Sequence, residues 1–309
     1  MTTLGVATVE AELGEVLALG GRALSWSEAQ QTPALLSASL SCEALVLGRL
    51  QREETLRQRS PASFESTVLR RATTGTEAQL SGAVLYHALA LPRVDALYAD
   101  ASPRTLLNRN LRAILRGYTA AGVPLRYFGT EVLALLGQPV ALVGYEQTAS
   151  GAVLIEVLVG LEAPCVVRSA LKREPAAALF AILRDRPAPR DLLQRAVRGV
   201  VERLGATTLD IENALPVAAA VPSIEPSDEI AAVAIPLGVV EATLSPQVRI
   251  TGDLLASSHA LSRIEALAET ARAEKQPFTD ALLEPLRGAA LDGARPPDLL
   301  SALQQALNS

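Results

Sequence analysis

The residues best suited to chemistry lie at 70–77. There Arg70-Arg71-Ala72-Thr73-Thr74-Gly75-Thr76-Glu77 runs an arginine pair into a turn of small residues. A turn of this kind wraps main-chain N–H groups around a phosphate or an acyl-adenylate. Such a loop wants glycine, which has no Cβ and tolerates unusual torsions. Here Thr74, Thr76 and Glu77 add side chains, and Glu77 brings a carboxylate beside the would-be anion. A second candidate is Cys165, with Arg168, Lys172 and Arg173 following it. A thiol near cations can become a thiolate nucleophile, although a free cysteine in an apolar segment is more often packing. His87 and His259 are the only histidines, and with Cys42 and Cys165 they show no metal-ligand spacing. No metal site is therefore expected.

These groups sit in a chain of 309 residues with a net charge of −5. That balance argues against a general binder of nucleic acid or anionic membranes. Hydrophobic residues make up 49% and aromatics 3%, so the core must be built from Leu, Val and Ala. Lys172 and Lys275 are the only lysines; the other 26 of the 28 basic residues are arginine, which fits a coding bias. A catalytic lysine has almost nowhere to stand. No leader-like segment and no apolar run long enough to span a bilayer is present, so a soluble cytoplasmic protein is expected.

The elements that must position the candidates follow from periodicity. Residues 4–20 fit a helix with Val6, Val9, Leu13, Val16 and Leu17 on one face. Residues 37–48 and 82–91 fit strands. Residues 101–122 fit a helix: Ser102 can cap it, Pro103 suits its first turn, and Gly122 stops it. Leu107, Leu111, Ile114, Leu115 and Tyr118 form its buried stripe, and Arg109, Arg112 and Arg116 its solvated face. Strands follow from Val123, with Thr148-Ala149-Ser150-Gly151 as the turn between the last two. Helices are expected at 176–184 and 190–204. After a Pro-punctuated stretch come short strands over 229–255, then helices to the end. The fold class is α+β: a large mixed or antiparallel sheet domain with packed helices over 1–207, a linker at 208–228, and a small accessory α+β domain at 229–309.

Taken in order, several stretches resemble the lipoate–protein ligases, within the biotin/lipoate ligase and octanoyltransferase superfamily. Leu45-Val46-Leu47-Gly48-Arg49-Leu50-Gln51 resembles that family's "vLGr.Q" strand end. Arg70-Arg71-Ala72-Thr73, then Thr74-Gly75-Thr76-Glu77, resemble its "RR-x-TGGGAVYH" loop. Tyr127-Phe128-Gly129-Thr130-Glu131-Val132 is similar to its "fGRnD" segment, and Val140-Ala141-Leu142-Val143-Gly144 to its "RKvsG" strand. Residues 248–255 and 264–267 look like the accessory domain.

The resemblance implies a ligand pocket drawn from Arg70, Arg71, Thr73, Thr74, Gly75, Thr76, Glu131, Ala141 and Gly144. It also implies that an active member joins lipoate or octanoate to ATP, then passes the acyl group to a lysine of a lipoyl domain. Joining two anions requires positive charge where negative charge accumulates. The family's lysine falls here on Ala141, its three glycines on Thr74, Gly75 and Thr76 with Glu77 next, its His on Leu80 and its Asp on Glu131. No lysine lies between Met1 and Lys172. The expectation is a catalytically degenerate relative that binds an acyl or lipoyl group or a lipoyl-domain partner. The alternatives are an active ligase or acyltransferase with relocated groups, Cys165 carrying the thioester, and half of a heteromeric ligase.

Overall fold

The computed structural model describes residues 2–167, 175–216, 224 and 230–308. The N-terminus departs from expectation. In place of one helix over 4–20 there is strand β1 (Thr3–Val9), followed by helix α1 (Leu13–Gln30). The reason is tertiary. β1 pairs in parallel with a neighbour on each side, so its apolar residues are buried without needing strict alternation, and their spacing imitates a helical stripe.

The chain continues through β2 (Ala34–Leu47), α2 (Glu53–Arg59), β3 (Thr67–Arg70), β4 (Ala78–Leu91), α3 (Leu106–Ala120), β5 (Arg126–Tyr127), β6 (Val132–Leu135), β7 (Gln138–Gln147) and β8 (Val153–Gly160). Next come α4 (Leu179–Ile182), α5 (Pro189–Leu204) and β9 (Thr207–Asp210). α4 is shorter than the helix expected over 176–184. One mixed sheet joins these strands in the order β5-β6-β7-β8-β4-β2-β1-β9, with β3 added to β2. The two long central strands pair antiparallel, Ser37 opposite His87. Ser102, expected from the sequence to cap this helix, forms a reciprocal capping box with Thr105 at the short 3-10 turn Pro103–Thr105 that leads into α3.

Strand alternation divides the interior into two layers. Leu85, Val143, Tyr145, Ile155 and Val157 face α3 and α5, together with Leu111, Ile114 and Leu192. Tyr86, Leu142, Leu154 and Leu158 belong to the opposite layer, with Leu13, Val16 and Leu17 of α1. Most of the expected linker lies outside the described residues, although its first residues complete β9.

A third core belongs to the C-terminal elements β10 (Ala231–Ile235), β11 (Gly238–Thr243), β12 (Arg249–Gly252), β13 (Leu255–Ala256), α6 (Ser258–Ala273), β14 (Leu291–Asp292) and α7 (Pro296–Leu307). The segment expected as a helix near 280 is a 3-10 helix, Asp280–Gly288, with Pro285 inside it. Proline removes a donor and blocks the regular α ladder. Among the described residues no helix is long and apolar enough to cross a membrane, and no group of three or more His, Cys, Asp and Glu is placed to hold a metal ion.

Candidate functional site

The arginine pair leaves β3 pointing inward. Arg70 Nη1 donates to three main-chain carbonyls, Gly48 at 2.8 Å, Gln51 at 2.7 Å and Arg49 at 3.3 Å. Its charge thus stitches the turn after β2 together. Arg71 is fully buried and donates from Nη2 to Thr76 O at 3.0 Å. Its Nε and Nη1 are buried without a hydrogen-bond partner among the described residues. Burial pulls its pKa below the ordinary value, and Glu156 of β8 is the largest influence opposing that.

Glu156 is the residue that sequence reasoning missed. Its Oε2 accepts from the Thr73 N–H at 3.1 Å and from the Thr73 hydroxyl, and its Oε1 accepts from the Tyr86 hydroxyl at 2.5 Å. All three residues are fully buried. The only available signal was a lone carboxylate within the apolar run 153–160, where a buried charge demands partners. Gly144 lies directly opposite Glu156. A Cβ at 144 would stand 2.8 Å from Arg71 Cζ, and one at Gly75 would stand 2.6 Å from Arg71 Nη2 and 3.2 Å from Leu255 Cδ2.

The structure therefore brings Arg71, Thr73, Thr74, Gly75, Thr76 and Gly144 together, with the loop closed on itself. It places Ala141 elsewhere. Residues 141 and 144 differ by an odd number in a regular strand, so Ala141 faces the α3–α5 layer with Val143 and Tyr145. Glu131 also stands apart from the cluster: its main-chain oxygen accepts from Val143 N at 2.6 Å, and its carboxylate acts on the buried phenol of Tyr127.

C-terminal residues seal the loop. Thr74 Oγ1 bridges the main-chain N and O of Ala256, at 3.1 and 3.0 Å, and the carbonyl of Tyr145 at 2.7 Å. Gln51 Nε2 ties Glu77 at 2.7 Å to Asp253 at 2.6 Å, and Arg59 pairs with Asp253 at 2.9 Å. Glu146 accepts at Oε1 from Ser258 N at 3.0 Å, at the start of α6, while Arg49 stands 3.6 Å from its Oε2. Burial pushes the Glu146 carboxyl up to about 7.

By sequence the chain matches no family model and no curated protein. Solved structures do match. LipL1 of P. falciparum in complex with lipoate superposes with a TM-score of 0.60 at 10% identity, covering 86% of this chain and 89% of that one. A bipartite lipoate protein ligase of Thermoplasma acidophilum, reported with its E2 lipoyl domain, gives 0.50 at 14% identity, covering 68% and 86%. Lipoate-protein ligase A bound with ATP gives 0.50 at 13%, covering 68% and 87%.

The chain has the lipoate ligase-like fold.

Within that lipoate ligase-like fold, Cys165 and His87 are interior residues. Cys165 is buried and lies near the carbonyls of Leu158 at 3.5 Å and Val140 at 3.6 Å. Burial pushes its thiol up to about 11, the direction opposite to an activated nucleophile. The cations expected to activate it, Arg168, Lys172 and Arg173, lie outside the described residues. His87 bridges Ser37 Oγ and Tyr118 Oη, each at 2.8 Å, in the α3–α5 layer, and burial lowers its pKa to about 4. His259, on α6, is exposed.

Proposed function

We propose that this protein is a lipoate ligase-like binding protein that recognises a lipoyl-domain or similar acyl-carrier partner and does not itself adenylate an acyl acid. One observation carries the reading. Both arginines of the signature-like loop are turned into the protein: Arg70 donates to three main-chain carbonyls, and Arg71 is fully buried with Nη2 on Thr76 O.

Adenylation gathers negative charge at the reacting carboxylate and α-phosphate, and it needs preorganised positive charge there. No lysine precedes residue 172 to replace the arginines. Losing one preorganised donor of this kind costs about 10²- to 10³-fold in rate. The filled loop also favours the protein partner over a free acyl group as ligand. The matched Thermoplasma acidophilum ligase, reported with its E2 lipoyl domain, supports a carrier of that type.

The test incubates the full chain with ATP, lipoate or octanoate, and a lipoyl domain, then weighs the domain. The expected result is no added acyl mass, together with saturable binding of the unmodified domain. Acyl transfer to the domain's lysine overturns the reading. A thioester on this chain that disappears in Cys165→Ser would establish the acyltransferase alternative.

A further inference from the structure

We infer that Thr73 and Tyr86 form a carboxylate-binding cradle, with the buried charge of Arg71 in its neighbourhood, that the chain fills with its own Glu156. The inference rests on the non-adenylating reading and deepens it by naming what occupies the centre of the site.

The donors come from two elements and converge on one position. The Thr73 N–H reaches Oε2 at 3.1 Å, with the Thr73 hydroxyl on the same oxygen, and the Tyr86 hydroxyl reaches Oε1 at 2.5 Å. Both oxygens of the carboxylate are thereby held, which is the pattern of a bound carboxylate. The guanidinium of Arg71 is fully buried, its Nε and Nη1 have no hydrogen-bond partner among the described residues, and the charge of Glu156 is the largest influence opposing the fall of its pKa. A buried cation of that kind is tolerable only with an anion nearby.

The cradle's shape is fixed by backbone. A Cβ on Gly20 would lie 3.1 Å from Glu156 Oε1, and one on Gly144 would lie 2.8 Å from Arg71 Cζ. No donor belongs to β8, the strand that carries Glu156. The position is therefore defined without the tether, and the ligand class it suits is a small monocarboxylate.

Chemical rescue tests this. Glu156→Ala removes Cγ, Cδ and both oxygens, which are the heavy atoms of acetate. Sodium acetate should raise the unfolding temperature of the E156A chain along a saturable curve. Sodium chloride at equal ionic strength should not, and wild type should show no acetate-specific shift. Adding Thr73→Val to the variant should weaken the acetate effect by at least about tenfold, since a buried charged hydrogen bond is lost. Equal responses to acetate and chloride would overturn the cradle.

If the E156A chain does not accumulate folded, it is refolded from denaturant in either salt. Recovery in acetate alone supports the cradle, and equal recovery in both, or none in either, sinks it. Acyl transfer by wild type would overturn the function proposed above and leave the rescue result standing. Failed rescue would remove the cradle and leave the transfer assay untouched.

Discussion

Thr73 donates twice to one oxygen of Glu156, through its main-chain N–H at 3.1 Å and through its hydroxyl. A loop residue and a mid-strand carboxylate 83 positions apart thus hold the loop at 71–77 against the sheet. Tyr86→Phe removes the other anchor and leaves Oε1 buried without its donor. The expected loss is about 1–3 kcal/mol, read from the urea midpoint at unchanged m-value. An unchanged midpoint would show that the network contributes nothing to holding the loop.

Glycines 144 and 21 make a contrasting pair. A methyl at 144 would lie 2.8 Å from Arg71 Cζ, whereas nothing lies within 4 Å of one at Gly21 in α1. Gly144→Ala should lower stability by about 1–3 kcal/mol through overpacking. Gly21→Ala should raise it by about 0.5–1 kcal/mol, because alanine suits a helix interior better. Thermal unfolding of the two variants side by side checks both signs.

Glu146 makes the interface with α6 sensitive to pH. Its folded pKa, about 7, exceeds that of an unfolded glutamate, near 4.3. The folded state therefore binds the proton more readily between those values. Its contribution is fully present below about pH 4.3 and is lost as pH rises through 7, at no more than about 1.4 kcal/mol per unit. Glu146→Gln should flatten that part of the stability profile, and a profile identical to wild type would remove Glu146 from the interface's pH response.

Thiol labelling separates the two cysteines. Cys42 is half-buried and Cys165 fully buried. Under native conditions an aromatic disulfide reagent should label Cys165 far more slowly than Cys42, and both should label at once in denaturant. Cys165→Ser should still fold, with a modest loss from replacing a buried thiol by a hydroxyl. Rapid native labelling at Cys165 would revive it as a nucleophile.

Local pattern alone determined a good deal of this molecule. The strand from residue 82, the α3 helix, the Ser102 cap of the turn leading into it and the hairpin turn at 148–151 were legible because period, capping and turn chemistry are short-range effects. The order of motifs pointed to the lipoate ligase-like fold, and the absence of lysine before 172 was visible without coordinates. Tertiary pairing decided the rest. β1 is a strand because two neighbours claim its hydrogen bonds. Ala141 parts from Gly144 because alternate residues of a strand face opposite layers. Glu156 joins Arg71, Thr73 and Tyr86 only once distant segments pack, and a buried charge takes its partners from space rather than from sequence.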